Sequence, residues 1–271
     1  MRRVTDGLLK DDFVNAAYYD RLADTYDDLY LDPVSTAENL FVQSRLAERF
    51  GSSKYILDIG CGTGLGLRLL RAGGFEGEYV GVDISEKMVR AAQRNTHDPR
   101  ATFLVCDATK YLETVLNNSF DGVTSLFGSF SHLADQGRAA NNIHRVCTKG
   151  GTIFIMCYSI RPLSLIRVSD NGLYINNRRE TDHYNVRNHT SDSSYSIAHF
   201  YSSDRLAELF KDFSQHSVVG LNAILAYSGM QHDVHSRSVD NIVEFLKHES
   251  DALKTEADLC HSLIFEGQKD R

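Results

Sequence analysis

Apolar residues in the first 50 positions recur three and four apart. Across residues 18–30 (YYDRLADTYDDLY), Tyr19, Leu22, Tyr26 and Tyr30 fall on one face of a helix. Pro33 interrupts that pattern. Ser35 or Thr36 then caps a second helix, with Leu40, Phe41 and Leu46 on its apolar side and its end near Gly51. From Tyr55 the period changes. Short apolar runs at 55–59, 79–82, 102–105, 122–127 and 152–157 predict strands, and helical patterns at 65–71, 85–95, 110–116 and 135–147 separate them. Strands that alternate with helices make a parallel sheet covered on both faces. Right-handed crossovers make it doubly wound.

After Tyr158 the regularity stops. Residues 161–196 are polar and rich in Asn, Asp, Arg and Ser, with pieces such as LSLIRV, LYINN and YNVR that suit antiparallel strands. This stretch is expected to be an insertion over the sheet edge. A helix follows Ser203, a strand spans 216–226, an amphipathic helix spans 241–253 and a last strand spans 259–266. The expected units are 1–50, a helical lid; 51–158, a nucleoside-binding core; 159–202, a cap over the acceptor; and 203–271, which completes the core.

Composition narrows the partners. The net charge of −7 disfavours nucleic acid, because phosphate binders carry basic surfaces. The five cysteines are widely spaced with no CxxC pair, which suggests small buried hydrophobes in a reducing compartment. No apolar run approaches the roughly 20 residues that span a bilayer, and the N-terminus lacks a signal-peptide pattern. A cytoplasmic protein that does not engage membranes, monomeric or homodimeric, is expected.

The sharpest chemical feature is Leu57-Asp58-Ile59-Gly60-Cys61-Gly62-Thr63-Gly64, between the first strand and the first helix of the alternating region. Alternate glycines let a backbone turn tightly and lie against a ligand. Asp83 stands nineteen residues beyond Gly64, at the end of the second strand. A carboxylate there accepts hydrogen bonds from the vicinal hydroxyls of a ribose. The dinucleotide fingerprint GxGxxG fails in either frame, because its third glycine falls on Leu65 or Leu67. That sets a dehydrogenase aside. Asp58 beside the loop suits a ligand with an ammonium group rather than a pyrophosphate. S-adenosylmethionine has an ammonium, a sulfonium and no phosphate.

LDIGCGTG, VGVDIS with Asp83, FLVCDA with Asp107, FDGVTSLFGSFSHL and GGTIFIMC occur in order over residues 17–158. Together they resemble the motifs of the class I S-adenosylmethionine-dependent methyltransferases, especially bacterial enzymes acting on small molecules. The resemblance implies a mostly parallel, seven-stranded Rossmann-like sheet and S-adenosylmethionine as cofactor, with S-adenosylhomocysteine as product. It implies that Asp58 faces the methionine ammonium and that Gly60, Cys61, Gly62 and Gly64 wall the methionine and ribose. Asp83 would hold the ribose hydroxyls, Ile84 and Met88 the adenine, Asp107 and Ala108 the adenine edge, and Leu126 with the turn after it the sulfonium. Tyr19 and Tyr26 would close over the methionine end. At the fourth strand end the chain reads Leu126-Phe127-Gly128-Ser129, which is neither the [N/D]PP[Y/F] of nucleic-acid amine methylases nor the magnesium carboxylate of catechol-type enzymes. No metal is expected, and His183, His189, His199, His232 and His235 are taken as loop histidines.

Transfer from a sulfonium is an in-line displacement that gains much of its rate from orientation. A base matters where the acceptor atom is protonated. His132, after the fourth strand, is the leading candidate for base or orienter. Tyr158, Arg161, His199 and Tyr201 are weaker candidates, and Arg161 or Arg187 would clamp a carboxylate acceptor. The expected activity is metal-independent methylation of N, O or C on a small molecule. A methyltransferase of peptides or glycans, or a non-catalytic cofactor-binding scaffold, is the alternative.

Overall fold

The structure is a computed structural model that describes residues 10–163, 166–169, 172–175, 183–186, 196–226 and 238–270. Helix α1 (Lys10–Leu22) opens it, and a tight 3-10 turn at Tyr26–Tyr30 follows. Residues 18–30 are therefore not one helix. Asp24, Asp27 and Asp28 favour short-range turns over a helix interior, and Asp27 finds its partners on other elements. Helix α2 (Pro33–Phe50) starts at Pro33 itself, the residue that interrupts the preceding pattern. Proline suits a first helical position because its missing N–H has no intrahelical partner anyway. The cap is Asp32, not Ser35 or Thr36: its Oδ1 accepts from the N–H of Val34 at 2.9 Å and of Ser35 at 3.1 Å.

The alternating region supplies β1 (Tyr55–Ile59), α3 (Leu65–Ala72), β2 (Glu78–Asp83), α4 (Glu86–Asn95), β3 (Ala101–Val105), α5 (Ala108–Thr114), β4 (Phe120–Ser125), α6 (Gln136–Val146) and β5 (Cys147–Ser159). Then come β6 (Ile166–Ser169), β7 (Gly172–Ile175), β8 (His183–Val186), β9 (Ser196–Tyr201), α7 (Ser203–Leu209), β10 (Ser214–Leu221), α8 (Val239–Ala252) and β11 (Ser262–Gln268). The main sheet runs β10-β11-β5-β4-β1-β2-β3. From β3 to β5 every pair is parallel, and β11 enters antiparallel between β5 and β10. This is the doubly wound, mostly parallel sheet the pattern predicts.

Side-chain alternation along β1 explains the two layers. Leu57 and Ile59 join one apolar cluster with α5, α6 and α7; Ile56 joins the other, with α2, α3 and α8. Asp58 points to the second face, a charge set into an otherwise apolar layer.

In the insertion, β6 and β7 pair antiparallel, as do β8 and β9. Strand β9 runs parallel to the end of β5, pairing Tyr158 with Phe200 and Ser159 with Tyr201, where β4 has already finished. The last strand of the insertion thus meets the carboxyl ends of the central strands, where α/β proteins bind ligands. Among the described residues, no helix is long and apolar enough to cross a membrane.

Candidate active site

A cleft of about 910 Å³, its mouth included, opens at those strand ends. Thirteen of the sequence-predicted residues line it: Tyr19, Tyr26, Asp58, Gly60, Cys61, Gly62, Asp83, Ile84, Met88, Asp107, Ala108, Leu126 and His132.

The floor is the β1–α3 loop. The N–H groups of Gly60 and Cys61 both donate to Val82 O, at 2.8 and 3.0 Å, which folds the loop over β2. Gly60 takes φ +73°, and a Cβ there would sit 2.4 Å from the Cβ of Ser129. Ser129 Oγ instead donates to Gly60 O at 2.9 Å and joins this loop to the turn after β4. Gly64 does not line the cleft. It caps α3 in the left-handed region, with Ala92 and Thr96 beside it at the end of α4, so its role is to start the helix.

Asp58 is 1% exposed. Its Oδ2 accepts from Tyr79 Oη at 2.6 Å and its Oδ1 from Thr124 Oγ1 at 2.9 Å. Burial nevertheless pushes the carboxyl up to about 6. Gly66 makes room for it, since a Cβ there would meet Asp58 Oδ2 at 2.7 Å. Asp83 is held by two backbone donors, Gly62 N–H on Oδ2 and Ser85 N–H on Oδ1, each at 2.9 Å. Burial raises it to about 6 as well. Asp107 caps α5 through Oδ1, which takes Thr109 N–H at 2.8 Å and Lys110 N–H at 3.2 Å. The Cys61 thiol is pushed up by burial, so it is no nucleophile.

The roof is aromatic. Tyr19 stands edge-on to Tyr26, with ring centroids 6.1 Å apart, and Tyr26 Oη lies 3.0 Å from Tyr30 Oη. Both Tyr19 and Tyr26 are raised well above the usual phenol value by burial. His132 Nδ1 lies 2.8 Å from Ile197 O, and its Nε2 lies 2.8 Å from Tyr19 Oη. A carbonyl only accepts, so Nδ1 carries the proton; Nε2 then offers its lone pair, and Tyr19 donates to it. Burial lowers His132 to about 4, so the ring is neutral near pH 7. It is a half-buried member of a Tyr–His pair at the cleft wall.

The weaker candidates stand outside the lining. Tyr158 packs edge-on behind His132, with centroids 5.7 Å apart, in the space left by the absent side chain of Gly128. Tyr201 is buried against Phe130, and His199 is buried on β9. Arg161 is exposed. Arg187, His189, His232 and His235 lie outside the described residues, as does the side chain of His183. Among the described residues no three His, Cys, Asp or Glu side chains group as metal ligands.

Sequence reasoning pointed to the turn after Leu126, where Phe127 and Ser129 lie, and missed Asp12, Asn15, Thr63, Leu65, Gly66, Val82 and Leu133 in the lining. Phe127 had a readable neighbour, Gly128, that signals a turn; its own φ of +51° is a strained value for an aromatic residue at the cleft wall. Asn15 carried no local signal, because its partners are 117 and 182 positions away.

Residues 56–151 match the family model described as "Methyltransferase domain". An uncharacterized protein of Methanocaldococcus jannaschii is 34% identical over 139 residues, covering 51% of this chain and 49% of that protein. The demethylmenaquinone methyltransferase of Symbiobacterium thermophilum is 30% identical over 153 residues, covering 54% and 59%. The chain thus spans about half the length of the curated relatives it matches. Among solved structures, the phosphoethanolamine N-methyltransferase 2 of Haemonchus contortus, in complex with S-adenosyl-L-methionine, superposes with a TM-score of 0.61 at 22% identity. That match covers 98% of this chain and 61% of the other. Family model, relatives and fold agree that residues 56–151 match a methyltransferase domain.

Proposed function

We propose that the protein is an S-adenosylmethionine-dependent methyltransferase that methylates a small-molecule acceptor. The observation that carries this reading is the pair of carboxyls, buried Asp58 and half-buried Asp83, on either side of the Gly60–Gly62 turn. Their hydrogen-bond donors are hydroxyls and backbone N–H groups, all neutral, and burial drives both up to about 6. A pocket that keeps two such groups is organised for a ligand that brings donors and positive charge. The ammonium and ribose diol of S-adenosylmethionine supply these, and Ile84 with Met88 gives the adenine an apolar seat. When bound, that molecule offers an electrophilic methyl on a sulfonium, whose loss leaves S-adenosylhomocysteine.

The protein's own part is orientation and proton removal. Tyr19 Oη is placed to take the acceptor proton as its own passes to His132 Nε2, and Ile197 O stabilises the resulting imidazolium through Nδ1–H. This suits an acceptor with an O–H or N–H to lose. Sulfonium and rising ammonium charge both gain from the surrounding tyrosine faces. The cleft is roofed by Tyr19 and Tyr26, which favours a small acceptor over a peptide or glycan. The chain division expected from sequence fits this reading, with the N-terminal segment as lid and the insertion beside the acceptor.

Calorimetry with S-adenosylmethionine and S-adenosylhomocysteine tests the proposal. Wild type should bind both at micromolar concentration, and Asp83→Ala should weaken binding at least tenfold while circular dichroism stays unchanged. A folded wild type that binds neither would remove the reading and favour a scaffold protein.

A further inference from the structure

Asn15 lies near the middle of α1, one turn before Tyr19, and is 3% exposed. Its Nδ2 donates to His132 O at 3.1 Å and to Ile197 O at 3.1 Å, and its Oδ1 accepts Ile197 N–H at 2.7 Å. Ile197 O is the carbonyl that also takes His132 Nδ1–H at 2.8 Å. One amide therefore touches the backbone of the histidine, the backbone N–H and C=O of the residue that fixes the histidine's tautomer, and, through its helix, the tyrosine on the other ring nitrogen. These parts come from α1, the turn after β4 and β9, three segments with no common local structure.

We propose that Asn15 is the positioning residue of the Tyr19–His132 pair, setting both the separation of the two side chains and the Nδ1–H tautomer of the ring. This rests on the reading of that pair as the proton acceptor. Asn15 suits the task because its amide offers two donors and an acceptor in one rigid plane. Both lone pairs of Ile197 O are then used, one by Asn15 and one by His132. Without Asn15 Nδ2, that carbonyl loses one of its two fixed donors and the helix carrying Tyr19 loses its bolt to β9. The ring is then free to rotate, and the Nε2–H tautomer, which offers Tyr19 no lone pair, becomes populated. A second-layer contact of this kind is what fixes tautomers in histidine sites generally. The titratable groups facing the ring are Tyr19 from α1, Tyr158 from β5 and His199 from β9, and Asp12 of α1 lines the same cleft.

The test needs no acceptor. Long-range proton–nitrogen NMR of the full chain, with His132→Gln to assign the ring, is recorded between pH 4 and 8 for wild type, Asn15→Ala and Asn15→Ser. Wild type should show one tautomer, protonated on Nδ1, that titrates well below 6.5. Both variants should show mixed tautomers and a midpoint at least tenfold higher in proton affinity. A serine hydroxyl is too short to bridge both carbonyls, so Asn15→Ser carries the test if Asn15→Ala fails to fold. A folded variant with the wild-type tautomer and midpoint would overturn the positioning role. A wild type protonated on Nε2, or titrating normally, would instead overturn the Tyr–His reading itself.

Discussion

A carboxyl buried without a cation prefers to keep its proton, and Asp58 and Asp83 both sit in that position, near 6 instead of the usual value just below 4. The protein by itself thus raises the proton affinity of both, and a ligand's ammonium and diol would draw them back toward the ionised forms. The sign follows: affinity is full above about 6 and falls as pH drops through it. Calorimetric affinity for S-adenosylhomocysteine should weaken by about tenfold or more between about pH 7 and pH 5. Unchanged affinity would mean that neither carboxyl meets the ligand. These two residues were legible because chemistry and spacing coincide in LDIGCGTG and VGVDIS. Gly64 was legible as a glycine but not as a cap, since both uses demand the same φ. His132 was legible as a histidine after the fourth strand, whereas its neutral state came only from its burial and its tautomer from Ile197, 65 positions away.

At the scale of elements, the segment 10–30 is fastened at two points by acids that a sequence shows only as solvated charge. Asp20 Oδ1 takes Ser85 Oγ at 2.7 Å and Lys87 N–H at 3.1 Å, which adds a cap to α4. Asp27 bonds Thr63 Oγ1 on the glycine loop and accepts from Arg68 at 2.8 Å and Asn95 at 3.2 Å. That second fastening explains why the tyrosine face does not continue as one helix: the turn at Tyr26–Tyr30 lowers Asp27 onto the loop. The spacing of Tyr19, Leu22, Tyr26 and Tyr30 reads identically in a helix and in a helix followed by a 3-10 turn, so periodicity alone does not separate them. Asp27→Ala should leave the fold intact and speed S-adenosylhomocysteine release at least fivefold in stopped-flow displacement. Unchanged release would show that this contact does not retain the ligand.

Across the whole molecule, the succession of strands and helices and the mostly parallel sheet were readable because each apolar run and each intervening helix is short and regular. The entry of β11 between β5 and β10 was not, since it depends on which face a distant strand can cover. Glu266 on β11 secures that placement. It is 1% exposed and bonds Arg45 Nε and Arg49 of α2, each at 2.6 Å. Glu266→Ala would leave both guanidiniums facing a partly closed layer. Because they keep some solvent contact, the cost should be about 2 kcal/mol, seen as a fall of roughly 4–8 °C in the melting midpoint with ligand affinity per folded molecule unchanged. A midpoint within about 1 °C of wild type would show the pair to be neutral. The helix that roofs the cleft is also the one that carries Tyr19 to His132. On the proposed function, enclosing the ligand and assembling the proton acceptor would be one event, and a spent ligand would leave only as that pair comes apart.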